Sequence, residues 1–228
     1  GISGGIDSAL TSTLCAMTGI KTIAISMPIH QKKKELNNAN AHSKWLTKHY
    51  PNIKLLTIEL TDLFENYKKS IPKQYHSELS LANSRARLRM TTLYQIASKE
   101  SGLVVGTGNK VEDFGIGFFT KYGDGGVDIS PIADLTKSEV KKLAIFFQIK
   151  QEIIDAEPTD GLWDDDRNDE TQIGATYAEL EWAMAFKKNR KLTKREEKVF
   201  KIYQTLNTKN KHKMQPIPIC GIPKILRN

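Results

Sequence analysis

Apolar residues follow two rhythms along this chain. In the first half, short runs of strand character stand between stretches whose apolar positions recur at helical spacing: Lys21 to Met27 (KTIAISM), Ile53 to Leu60 (IKLLTIEL) and Leu103 to Val105 (LVV). The helical stretches cover Asp7 to Thr18, closed by Gly19, then Glu35 to His49, then Ser80 to Ser101, closed by Gly102. Strands alternating with crossover helices predict an α/β fold, a doubly wound, mostly parallel sheet with flanking helices. Beyond Pro131 the strand patterns stop, and three capping boxes follow: Thr136 with Glu139, Thr176 with Glu179, and Thr193 with Glu196. The C-terminal third is therefore expected to be helical over about 136–213. It is followed by a tail, 214–228, kept extended by the three prolines between Gln215 and Pro223.

Within Ser80–Ser101 the spacing predicts a buried stripe of Ala82, Ala86, Met90, Leu93 and Ala97. Each residue turns a helix by about 100 degrees, which puts Arg85 and Arg89 on one shoulder of the stripe and Arg87 on the other. The three arginines are not expected to serve one ligand. Cys15, among Leu10, Leu14 and Met17, reads as core rather than nucleophile.

A chain of 228 residues buries enough surface for one domain, and that is the expectation for 1–228. It opens on Gly1 in a segment that normally follows a buried strand, so an N-terminally incomplete domain is expected. No apolar run approaches the roughly 20 residues a membrane span needs. Cys15 and Cys220 make no metal-type or redox-type pair, which fits a reduced, cytoplasmic setting. The net charge of +8 asks for an anionic partner without naming it. Part of the excess is the stretch Lys187, Lys188, Arg190, Lys191, Lys194, Arg195 and Lys198, whose plain reading is a solvated helix face.

Chemistry concentrates first at SGGIDS, Ser3 to Ser8, which runs into the first helix. Unpaired backbone N–H groups and the helix dipole at that end favour anions, and Gly4 and Gly5 leave room for phosphate oxygens. Asp7 would repel a bare phosphate, so it reads as a Mg²⁺ ligand, with simple helix capping as the alternative. No GxxxxGK[ST] loop occurs. GTGNKV from Gly106 lacks the third glycine of a dinucleotide fingerprint. The acidic run Asp160 to Glu170 lacks the turn glycine of a calcium loop.

SGGxDS at a helix start resembles the motif of the ATP pyrophosphatase superfamily, whose sheet is of the adenine nucleotide alpha hydrolase-like kind. The run Gly117 to Asp128, GFFTKYGDGGVD, is similar almost letter for letter to the NAD synthetase family's own motif. Here Gly123, Gly125 and Gly126 permit close approach, leaving Lys121, Asp124 and Asp128 to face a polar ligand. A DG-turned surface hairpin is the alternative.

The resemblance implies amidation of deamido-NAD to NAD through an acyl adenylate, with ATP as co-substrate, Mg²⁺ as cofactor and ammonia as nucleophile. It places ATP phosphates on Gly1, Ile2, Ser3, Gly4, Gly5, Ile6, Asp7 and Ser8, with further ATP contacts at Thr107, Lys137 and Thr159. Asp7 and Lys137 would carry the catalytic roles. Arg87, Lys121, Asp128, His212 and Lys213 match deamido-NAD contacts, and Asp7 and Glu112 match the metal carboxylates. Glu112 stands nine residues before Lys121 where eight are expected, so Asp113 could be the ligand instead. A homodimer with deamido-NAD near the subunit interface is also implied. Two other readings compete: a tRNA-modifying or GMP-forming pyrophosphatase, and a non-catalytic nucleotide-binding module. FTKYGDGG and the lack of a zinc-type cysteine cluster argue against the first. Two separated metal carboxylates together with Lys137 argue for catalysis.

Overall fold

The computed structural model describes residues 1–156, 168–187 and 190–227. In chain order the elements are α1 (Ile6–Met17), β1 (Thr22–Ser26), α2 (Lys33–His49), β2 (Ile53–Thr57), α3 (Thr61–Ser70) and α4 (Glu78–Glu100). A π-helical turn, Lys110–Ile116, precedes α5 (Lys137–Phe146), α6 (Gln151–Ile154), α7 (Asp169–Ile173), α8 (Tyr177–Ala185) and α9 (Lys194–Met214). The fold is α/β, with a parallel sheet in the first half and helices in the last third, as the hydrophobic pattern predicts.

β1 pairs with β2 in parallel, from Thr22 opposite Ile53 to Ser26 opposite Thr57. The other edge of β1 is taken by the start of the chain, where Ile2 N donates to Ile25 O at 2.8 Å. Alternate β1 side chains face opposite layers, as strand geometry requires. Ala24 packs with Ile2, Ala16, Ala39 and Leu46 under α1 and α2, whereas Ile25 packs with Met27, Ile29, Leu60 and Phe64 towards α3 and α4. Helices thus cover both faces. A further cluster, including Leu10, Ile132, Val140 and Ile153, ties α1 to α5 and α6. Each of these buried side chains contributes about 1.5–3 kcal/mol. A fourth cluster joins the π-helical turn to α8 and α9 through Val111, Ile116, Leu180 and Val199.

All three predicted capping boxes form, at the starts of α5, α8 and α9. Several details differ from the sequence expectation. The LVV run makes only an isolated parallel bridge, Val105 to Ile129, because the chain turns into the loop at Gly106 as soon as it has paired. Ser101, not Gly102, takes the left-handed closing position of α4, at φ 52°. Met17 is half exposed rather than core, whereas burial raises the Cys15 thiol's pKa, as an inert thiol requires. The helix α3 carries no signal strong enough to predict it. The tail is extended, with one 3-10 turn at Lys224–Leu226.

Candidate active site

Ser3 and Ser8 lock the glycine loop to the start of α1. Ser3 N and Oγ approach Ser8 Oγ at 3.2 and 3.1 Å, and Ser8 Oγ donates to Gly5 O at 2.9 Å. Gly4 sits at φ +95°, and a Cβ there would strike the Glu35 carbonyl of α2, so only glycine lets loop and helix meet. Gly5 is the N-cap of α1 and supplies no side-chain cap, so the first-turn amides remain open to an anion.

Asp7 does not cap the helix. Its carboxylate accepts from Lys137 Nζ at 2.6 Å and from Asn109 Nδ2 at 3.1 Å. Glu112 mirrors it, accepting from Lys137 at 2.9 Å, Asn109 at 2.8 Å and the Tyr177 hydroxyl at 2.5 Å. Lys137 is the first residue of α5, held by the Thr136–Glu139 box at an end where the dipole disfavours a cation; the two carboxylates compensate. Burial alone would lower the Lys137 pKa, but Glu112 and Asp7 outweigh it and hold the ammonium above its ordinary value. Tyr177 is likewise raised, by burial first and then by Glu112 and Asp169, so its hydroxyl stays a donor.

The two carboxylates between which the spacing left a choice, Glu112 and Asp113, both lie in the π-helical turn. Asn109, fully buried, caps it by accepting from Val111 N and Glu112 N, and Gly117 closes it at φ 63°. Glu112 consequently faces Asp7, while Asp113 lies against Gly108 and joins none of these bonds. Burial, with Asp124, Glu112 and Asp7 nearby, pushes Asp113 up to about 8.

These groups border a cavity of about 1360 Å³, whose wall includes the loop Gly1–Ser8, Thr107, Glu112, Lys137 and Lys213. Arg87, Lys121, Asp128 and His212 are not part of that wall. Three of them meet beside it: Lys121 Nζ donates to His212 O at 2.6 Å, and Arg87 Nε and Nη2 donate to Lys121 O at 3.3 and 3.2 Å. Lys213 Nζ, its pKa lowered by burial, donates to Gly117 O and Phe119 O. Asp128 stands apart, accepting from Tyr94 and from Val104 N. Thr159, and with it most of the acidic run, lies outside the described residues.

The arginines separate as the helical wheel predicts. Arg87 is exposed, Arg85 lies over the Phe64 ring at 5.5 Å, and Arg89 donates to Met27 O and Gln31 Oε1. Burial lowers Arg89 to about 10. The Gly117–Asp128 run is no hairpin: it coils on itself, with Gly123 and Gly125 N both donating to Thr120 O. Gly123 and Gly126 border the cavity, and added Cβ atoms there would also meet Ala86 and Met90, so the same small residues permit packing on α4.

Among the described residues no cluster of three or more His, Cys, Asp or Glu could hold a metal. The Asp7–Glu112 pair nonetheless suits Mg²⁺, which takes oxygen donors and commonly one or two carboxylates beside substrate phosphates. Sequence reasoning missed Asn109 and Tyr177. The N-x-x-E spacing of Asn109 and Glu112 and the box before Tyr177 were the only available signals.

The family described as NAD synthase matches residues 1–217. The NH(3)-dependent NAD(+) synthetase of Mesoplasma florum is 40% identical over 189 residues, 81% of this chain and 74% of that protein. The enzyme of the same name from Archaeoglobus fulgidus is 34% identical over 230 residues, 99% of this chain and 89% of its own. Among solved structures, the NMN synthetase of Francisella tularensis matches with a TM-score of 0.84 at 30% identity, covering 98% of this chain and 87% of that one. The NH3-dependent NAD synthetase of Campylobacter jejuni matches with a TM-score of 0.77 at 27% identity, covering 97% and 88%.

Proposed function

The chain belongs to the NAD synthase family, and on that footing we propose that it amidates deamido-NAD to NAD with ATP and ammonia, through an acyl adenylate. The observation that carries the reading is Lys137, held between Asp7 and Glu112 beside the open N-terminus of α1. A nicotinate carboxylate is a poor acylating group and must first gain a leaving group. Its oxygen attacks the α-phosphorus of ATP, and the bond to the β-phosphate oxygen breaks, releasing pyrophosphate. Ammonia then attacks the acyl carbon, loses a proton, and AMP departs. The loop amides and Lys137 hold the phosphates and stabilise charge as the first bond breaks. Mg²⁺, held by Asp7 and Glu112, would add charge neutralisation at the phosphates.

For deamido-NAD the reading uses Lys213 in the cavity wall, the Arg87, Lys121 and His212 group, and Asp128, which lies apart from them. Replacing Lys121 with Ala should weaken deamido-NAD binding by about 1.5–3 kcal/mol, the range of a lost charge-assisted hydrogen bond, and leave ATP binding nearly unchanged. Separate titrations of each ligand check this; equal losses would move the substrate elsewhere. The reading takes residues 1–228 as one domain, N-terminally incomplete, of a homodimeric, cytoplasmic enzyme, its oligomeric state to be measured by light scattering.

The match to the Francisella NMN synthetase supports a second reading, in which the amidated product is the mononucleotide. Turnover of deamido-NAD and of nicotinate mononucleotide, each with ATP and ammonium, decides between them. A higher kcat/KM for deamido-NAD is expected; the reverse order would overturn the dinucleotide assignment.

A further inference from the structure

Tyr177 touches two of the site's three charged groups, Glu112 and Lys137. It is the first residue of α8, and its ring, 5% exposed, packs in the cluster with Val111, Ile116 and Leu180. Three contacts converge on it. The hydroxyl donates to Glu112 Oε1 at 2.5 Å, it lies 3.2 Å from Oδ2 of Asp169, and the ring faces Lys137 Nζ at 4.9 Å from its centroid. Tyr177 N also donates to Glu170 Oε1 at 2.8 Å, so side chains of both Asp169 and Glu170 on α7 reach this residue.

The arrangement restrains groups that otherwise have freedom to turn. Glu112 projects from a π-helical turn on a side chain with three torsions, and Lys137 has four. The phenol proton fixes one carboxylate oxygen of Glu112, leaving the other for Asn109. The ring face gives the Lys137 ammonium an apolar and electrostatically favourable wall. Asp169, 6% exposed, closes the far side of the hydroxyl.

We propose that Tyr177 is a positioning residue, which through its hydroxyl and ring holds Glu112 and Lys137 in the arrangement that lets both face Asp7. The proposal rests on the reading of Glu112 and Lys137 as ATP- and metal-handling groups. Outer partners of such carboxylates typically change metal affinity or activity by about 10- to 100-fold when removed.

Tyr177→Phe removes the hydroxyl and keeps the ring, and Tyr177→Leu removes both. With Tyr177→Phe, kcat should fall about 10- to 100-fold while KM for deamido-NAD is unchanged. Affinity for Mn²⁺, measured by calorimetry with a non-hydrolysable ATP analogue bound, should weaken by a similar factor. Tyr177→Leu should lose more of both, since the wall for Lys137 goes as well. Glu112→Gln is run beside them. If it is inactive while Tyr177→Phe matches the wild type in kcat and Mn²⁺ affinity, the positioning role is overturned and the site reading stands. If Glu112→Gln keeps full activity, both are overturned. A Tyr177→Phe defect that raises both KM values equally and lowers the melting temperature is the mark of a merely structural residue, and overturns the proposal.

Discussion

Replacing Lys137 with methionine is expected to cut turnover by about 100- to 1000-fold, the loss typical of removing one preorganised donor from developing charge. The same change should destabilise the unliganded protein. Lys137 is 14% exposed and sits 2.6 Å from Asp7 and 2.9 Å from Glu112, so methionine leaves two carboxylates facing each other with Asn109 as their one shared donor. Breaking a buried pair in this way costs about 3 kcal/mol. Mg²⁺ should then raise the melting temperature of the variant more than that of the wild type, because a divalent cation relieves a repulsion that the wild type has already neutralised. Urea unfolding, thermal melts with and without magnesium chloride, and steady-state rates measure the three effects. Wild-type turnover together with wild-type stability would show that Lys137 is neither a charge anchor nor a phosphate contact.

A second large effect concerns acid. His42 is 1% exposed, and its Nε2 lies 2.9 Å from Ser12 Oγ. The Ser12 hydroxyl spends its proton on Ser8 O, at 2.7 Å, which leaves a lone pair for an Nε2–H donor and makes His42 the neutral tautomer. Its Nδ1 is buried without a hydrogen-bond partner among the described residues, so a second proton there would find no acceptor among them. Burial lowers the His42 pKa from 6.5 to about 4. The folded-state value is depressed, so between those two pH values the unfolded chain takes up a proton that the folded chain refuses. Stability is complete above pH 6.5 and falls as the pH drops to about 4, by about 3 kcal/mol in all. His42→Gln cannot titrate and should lose this part of the pH dependence. Urea unfolding from pH 8 to 5 compares the two chains, and an unchanged pH slope in the variant would assign the acid sensitivity elsewhere.

What the sequence made legible was local. The capping boxes at Thr136, Thr176 and Thr193 need only residues three apart, and all three form. The glycine loop announces its helix because its conformational demands lie within eight residues. What stayed hidden depends on distant partners: Asn109 meets Asp7 across 102 residues and Lys137 meets Asp7 across 130, and no periodicity encodes such contacts. The spacing between Glu112 and Lys121 left open which carboxylate faces the site, and only the distant partners Asn109 and Lys137, shared by Glu112 and Asp7, single out Glu112. The glycines of the Gly117–Asp128 run have a second role that the sequence did not show, since at Gly123 and Gly126 a Cβ would meet Ala86 and Met90 of α4.

The central claim is that ATP is cleaved between its α and β phosphates to activate a nicotinate carboxylate for attack by ammonia. Purified protein given ATP, Mg²⁺, ammonium and deamido-NAD should yield NAD, AMP and pyrophosphate in equal amounts, with no AMP formed when deamido-NAD is left out. ADP as the stoichiometric product, or AMP released at the same rate without the carboxylate substrate, would contradict the account.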